Sequence, residues 1–333
     1  MFAWEGRLYD VSASAGITEL SGARYTASDL LSQADVACYA AKALGRNQVA
    51  VYQAGASEAH RQHRDLQVAA SIRGAIDENR FRLFAQEIRS LKRGSGDGRN
   101  FELLLRLQNE SGAIVEPSAF IPAAERFDMM GRIDRWVIRT ALGVFGERIA
   151  AEPDLSISIN LSANSLSDPL LWPFLKAELE ASHLPARRLR LEITETGLIN
   201  NLAASTNLLA SARAAGCSIV LDDFGTGLSS FTYLRSFPID YLKIDGSFML
   251  QLKDSALDRT IVEAINDIGH RLGARTVAEW VEDLPTMEIL RQIGVDEVQG
   301  YAIARPIPLE ELLSGSLRFE VAPAPRLRVV GAA

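Results

Sequence analysis

The chain predicts an irregular (β/α)8-type barrel over residues 81–318, with a small α+β fragment before it. Three observations lead there. Eight apolar, strand-like runs alternate with helical patterns through this stretch. The first two runs, FRLFAQEI and FELLLRL, are joined by LKRGSGDGRN. That link is too short and Gly-rich for a crossover helix, so the pair reads as an antiparallel hairpin. Acidic residues fall where the apolar runs end, the place where a barrel of this kind builds its active site.

Residues 1–53 read as strand, helix, strand. RLYDVSASAGI alternates in part and ends at Gly16. In ASDLLSQADVACYAAKALG, Leu30, Ala34, Ala37, Ala41 and Leu44 recur at helical steps, and Gly45 is placed to cap them. QVAVY is a short strand. Residues 54–80 predict a polar connecting helix with Leu66, Ala69, Ile72 and Ile76 as its apolar stripe. The remaining barrel strands are LSISINL, RLRLEIT, SIVLDDF, YLKID, RTVAEW and DEVQGYAI. DRTIVEAINDIGHRLGA, with Ile261, Ile265, Ile268 and Leu272 on one face, shows the helical pattern between them. Residues 319–333 form a Pro- and Ala-rich tail expected to fray.

With 333 residues, 47% hydrophobic and 23% charged, the composition is that of an ordinary soluble globular protein. A net charge of −7 argues against a nucleic-acid polymer held on a broad basic surface. It leaves room for a small phosphodiester held through bound cations. Cys38 and Cys217 read as small core residues, and four scattered histidines disfavour a His-based zinc site. No apolar run approaches the roughly 18 residues that span a membrane, and MFAWEGRLYD is no signal peptide. A cytoplasmic location is the expectation.

Glu102, Glu192, Glu195, Asp222, Asp223 and Glu279 all sit at run ends, and Asn160 and Lys243 share the placement. A carboxylate there is costly unless paired or bound to a metal. Several from separate strands predict a shared cation site, and hard oxygen donors suit Mg²⁺ or Mn²⁺. The adjacent acids of DDFGTG repel each other and favour a cation beside them. Taken singly, these residues allow other roles: an Asx-type turn before Gly225, a turn at Asn160, strand-end ion pairs at Glu102 and Glu192, and a structural Lys243–Asp245 pair.

ELLLR, INLS, EITE, DDFGTG, KID, AEWVE and QGY follow one another in the order of the EAL domain family, which the chain resembles over about residues 65–315. That family hydrolyses the bacterial second messenger cyclic di-GMP in a modified TIM barrel with one antiparallel strand. The resemblance implies cleavage to linear pGpG by a water activated by two Mg²⁺ or Mn²⁺ ions. It assigns Glu102, Asn160, Glu192 and Asp222 to the first metal, with Asp222 shared and Asp223 on the second. It makes Glu279 a metal or water ligand and proton acceptor, and Lys243 a catalytic group that orients water or stabilises charge. Glu282 and Asp245 become supports, and Glu195 the anchor of the loop Gly225–Ser230. Gln86, Arg106 and Gln299 match substrate contacts, Arg106 able to pair with a phosphate bidentately. A homodimer through the barrel is also implied.

The segment ADVACYAAKALGRNQVAVY resembles the C-terminal end of a GGDEF (diguanylate cyclase) domain without its signature loop or nucleotide-binding half. Met1 therefore reads as the start of a truncated or remnant domain, and no cyclic di-GMP synthesis is expected. Two rival readings stand: a catalytically silent cyclic di-GMP receptor, which would normally have lost a ligand, and a barrel enzyme of other metal chemistry such as enolisation. Three positions depart from the family pattern. Leu103 makes ELL of EAL, Glu87 replaces a proline, and Trp280 stands in AEWVE where glycine is frequent. Trp280 is expected to face the helix layer.

Overall fold

Eight strands close into a barrel in the computed structural model of the chain. The structure describes residues 2–4, 7–9, 13–19, 48–52, 71–92, 98–225 and 239–314, with a few isolated positions besides. The tail 319–333 lies outside them. The backbone divides into two units, Met1–Ala70 and Ser71–Ala333.

In the first unit, RLYDVSASAGI is not one strand. Its start, β2 (Arg7–Tyr9), pairs back on β1 (Phe2–Trp4), and its end forms β3 (Ala15–Ile17) parallel to β4 (Val49–Val51). Parallel pairing requires a crossover. The described positions of the predicted helix, Leu30, Ala34, Ala37 and Ala41 among them, are helical, and Ala37 and Ala41 are buried. Leu44 and Gly45 lie outside the described residues. A β-carbon at Gly16 would stand 2.0 Å from the Ala34 carbonyl oxygen. Only glycine lets the strand approach the helix that closely.

The barrel belongs to the second unit. Of the connecting helix, residues 71–77 are described as helical, with Ile72 buried. The strands are β5 (Phe81–Ser90), β6 (Arg99–Gln108), β8 (Leu155–Asn160), β9 (Leu189–Thr194), β10 (Ser218–Phe224), β11 (Tyr241–Ile244), β12 (Arg275–Ala278) and β13 (Glu297–Gln299). Two short strands, β7 (Ile114–Val115) and β14 (Ile307–Pro308), extend the sheet beside β6 and β5. β5 runs antiparallel to both of its barrel neighbours, β6 and β13, and the other neighbours are parallel. The short link after β5 leaves no length for a helix, so the chain reverses and the next strand starts the parallel series.

The helix Ala256–Arg271 differs slightly from its predicted face. Val262, Ile265, Asn266 and Gly269 are buried, while Ile261 and Ile268 flank them. Gly269 permits this rotation: a β-carbon there would lie 2.6 Å from the Thr276 methyl. Thr276 also donates its hydroxyl to Asn266 Oδ1 at 2.6 Å. At the end where the parallel strands begin, charge closes the barrel. Arg190 pairs with Glu297 at 2.9 Å and stacks 3.8 Å above the Tyr241 ring, and Arg275 reaches Glu297 at 3.2 Å. Glu297 is thereby paired twice, which offsets the cost of burying it.

Candidate metal and substrate site

At the other end of the barrel, four carboxylates meet one buried ammonium. Lys243 of β11 is 1% exposed, and its Nζ lies 3.2 Å from Glu102, 2.9 Å from Glu192, 3.1 Å from Asp222 and 2.8 Å from Glu279. Asp245 is not among these partners; it accepts the Ser247 N–H at 2.9 Å and caps the short helix Gly246–Met249. Glu102 lies near the middle of β6, not at its end. Pairing with β8 stops at Leu103, however, and the rest of β6 continues only against β5 and β7. The acid therefore does stand at the barrel's rim.

Two adjacent residues of a strand normally face opposite sides. Asp222 and Asp223 escape that rule through a bulge. Leu221 pairs with Leu242 and Phe224 with Ile244, so β10 carries one more residue than β11 over this span. Asp223 takes the left-handed conformation, φ 56°, and Gly225 follows at φ 102°. Carboxylate oxygens of Asp222, Asp223 and Glu279 consequently lie within 4.8 Å of one another. Glu195, buried at the start of the helix Glu195–Asn200, accepts the Gly225 N–H at 3.3 Å. This bond ties Glu195 to the first residue of the loop that follows Phe224. Thr226, Gly227, Ser229 and Ser230 lie outside the described residues.

Burial, and next the Glu102 carboxylate, push Glu192 up to about 7. Burial and then Asp222, with a smaller push from Asp245, lift Asp223 to about 6. Burial likewise holds Glu279 well above the carboxylate range, although Lys243 opposes it. Burial also works against the Lys243 charge, yet Asp222, Glu102, Glu192 and Glu279 outweigh it and hold that pKa above its ordinary value. Glu102 is depressed: Lys243 and the amides of Gln299 and Asn160 overcome its burial. Four carboxylates thus share one ammonium, a fifth, Asp223, stands beside two of them, and Glu192 Oε1 is buried without a hydrogen-bond partner. Excess negative charge on hard oxygens, with one atom left unsatisfied, fits divalent cations of the Mg²⁺ or Mn²⁺ type.

The glutamines expected at the substrate have a second task. Gln86 donates to the Ala304 carbonyl at 3.0 Å, and Gln299 donates to Gln86 at 3.1 Å and to Glu102 at 2.7 Å. Asn160 donates to the other Glu102 oxygen at 2.7 Å. Two amides therefore fix the orientation of one carboxylate, and Gln86 holds one of the two. Gln86 and Gln299 also line a cavity of about 330 Å³ with Arg106, Glu279, Trp280, Glu282 and Tyr301. Arg106 lies 3.0 Å from Glu116 at its rim, and Glu282 is exposed on its wall.

Trp280 corrects the sequence reading. It is not buried in the helix layer: left-handed backbone at φ 48° places it, 57% exposed, on the cavity, with its ring against Gly246. Sequence reasoning also missed Asp134. This buried acid accepts the Ser162 N–H at 2.9 Å and its hydroxyl at 2.6 Å, holding the turn that follows Asn160. An acid on the stripe Met130, Ile133, Val137 was the available signal.

The EAL domain family model matches residues 69–306. The cyclic di-GMP phosphodiesterase PdeB of Shewanella oneidensis is 40% identical over 301 residues, 90% of this chain and 35% of that protein. The cyclic di-GMP phosphodiesterase NbdA of Pseudomonas aeruginosa is 33% identical, over 96% of this chain and 41% of its own length. The chain thus spans well under half of either relative. Among solved structures, the Xanthomonas citri FimX EAL domain in complex with c-diGMP superposes with a TM-score of 0.68 at 29% identity, covering 75% of this chain and 97% of that one. The c-di-GMP complex of the PaMucR phosphodiesterase gives 0.68 at 31%, covering 74% and 99%.

Proposed function

Because this chain belongs to the EAL domain family, we propose that it hydrolyses cyclic di-GMP to linear pGpG. One observation carries the reading: four carboxylates from separate strands gather around Lys243, with Asp223 beside two of them, next to a cavity lined by Arg106. Glu102, Asn160, Glu192, Asp222, Asp223 and Glu279 would hold two Mg²⁺ or Mn²⁺ ions, which supply an activated water and neutralise phosphate charge. Arg106 receives a phosphate, giving up its pairing with Glu116. Gln86 and Gln299 hold Glu102 in place and present polar atoms to the substrate. Lys243 stabilises charge that builds on the phosphate oxygens as water adds to phosphorus and the 3′ oxygen leaves. Glu279 accepts the water proton. Glu195 fixes the loop that follows Asp223, Asp245 tunes Asp223 through charge, and Glu282 shapes the cavity wall.

Residues 1–53 complete the reading as a segment of GGDEF type ahead of the barrel. The barrel forms a homodimer in the cytoplasm. Among the described residues no helix is long and apolar enough to cross a membrane.

Chromatographic turnover of cyclic di-GMP with Mg²⁺, with and without EDTA, tests the proposal. Conversion to pGpG that EDTA abolishes is expected. Binding without turnover would favour the silent receptor, and neither would leave another metal chemistry. Incubation with GTP should give no cyclic dinucleotide.

A further inference from the structure

Trp280 follows Glu279 directly and holds φ 48°, a conformation rare for a bulky side chain. Such strain persists where surrounding structure enforces it, and it gathers at ligand sites. What enforces it here is visible. The indole rests on Gly246, where a β-carbon would come within 2.2 Å of two ring atoms. The contact therefore exists only because residue 246 is glycine. Trp280 lines the cavity together with Arg106, Tyr301 and Pro306. Tyr301 is also exposed, and Arg305 stacks 4.3 Å above it. A large aromatic held at a cavity mouth but left uncovered is a surface ready for a flat partner, at little ordering cost.

We infer that Trp280 is a stacking platform for a purine base, and that it favours purine over pyrimidine dinucleotides. The inference rests on the phosphodiesterase reading and names how that site grips one base. A phosphodiester beside Arg106 carries nucleosides on both sides, and every base offers a face that stacks on indole. Purines offer the larger one.

Two variants test it. Trp280→Gly removes the ring and relaxes the left-handed backbone, and Trp280→Phe keeps a smaller platform. Equilibrium binding of cyclic di-GMP and cyclic di-UMP is measured in EDTA, and turnover of cyclic di-GMP separately in Mg²⁺. The Gly variant should bind cyclic di-GMP about tenfold or more weakly and raise its KM, with cyclic di-UMP much less affected. The Phe variant should stay within a few-fold of wild type. Unchanged cyclic di-GMP affinity in Trp280→Gly, an equal loss for both ligands, or a wild type that binds neither would overturn the platform. A wild type that cleaves while Trp280→Gly keeps its KM sinks the platform alone. A wild type that shows the purine-selective loss yet does not cleave sinks the enzyme reading alone.

Discussion

Lys243 and Glu279 stand 2.8 Å apart at the centre of the site, in a place where the lysine has almost no contact with solvent. Lys243→Met leaves four carboxylates facing each other, so this lysine bears on folding as well as on chemistry. Breaking a buried pair costs about 3–5 kcal/mol, and proton uptake by the raised acids Glu192 and Glu279 absorbs part of it. Melts in EDTA should show a drop in Tm that is larger at pH 8 than at pH 5.5, with turnover lost by roughly 10²-fold or more. A drop equal at both pH values would show that carboxylate repulsion is not its cause.

Gln299→Leu removes the 2.7 Å amide bond to Glu102 and leaves the carboxylate free to turn. A hydrogen bond to a charged group is worth about 1.5–3 kcal/mol, hence roughly 10- to 100-fold in kcat/KM. Gln299→Glu should be worse, since it places a like charge there. Steady-state kinetics of the two variants, with circular dichroism to confirm folding, gives the answer. Equal activity of both would remove the orienting role.

Glu195→Gln keeps an acceptor for the Gly225 N–H and loses the charge that strengthens the bond. Apparent Mg²⁺ affinity should fall a few-fold, and excess Mg²⁺ should restore most of the rate. Glu192→Gln removes a proposed ligand and should resist such rescue. Mg²⁺ titrations of activity that rescue both variants alike would abolish the distinction between anchor and ligand.

Burial raises the Asp134 pKa despite its two bonds from Ser162. A raised acid gives its full stability below its unfolded pKa, about 3.9, and loses it as pH rises through the folded value. Asp134→Asn keeps an oxygen for Ser162 and cannot ionise. Urea denaturation should therefore shift in favour of the variant between pH 4 and pH 7. A shift towards wild type over that window would contradict the assignment.

Much of this was legible because run ends mark strand ends. The eight apolar runs became the eight barrel strands, and the Gly-rich link foretold the antiparallel pair. What pattern could not show was convergence. The relay from Gln86 through Gln299 to Glu102 joins residues 213 and 197 positions apart in sequence, a distance no local periodicity spans. Trp280 was misplaced because strand alternation was carried past Ala278, where β12 ends, to a residue whose φ is positive. Asp134 was hidden by the assumption that helix acids face water.

The bulge in β10 has a consequence for how this site can be altered. Which way Asp222 and Asp223 point is a matter of residue count along one strand, not of side-chain identity. The two residues between Leu221 and Phe224 are the aspartates themselves, so any deletion that restores plain alternation there takes one carboxylate with it. The left-handed backbone at Asp223 adds a second demand, since aspartate, asparagine or glycine accepts it and a β-branched residue does not. The convergence of the pair is therefore tied to the length of this segment as much as to its two acids.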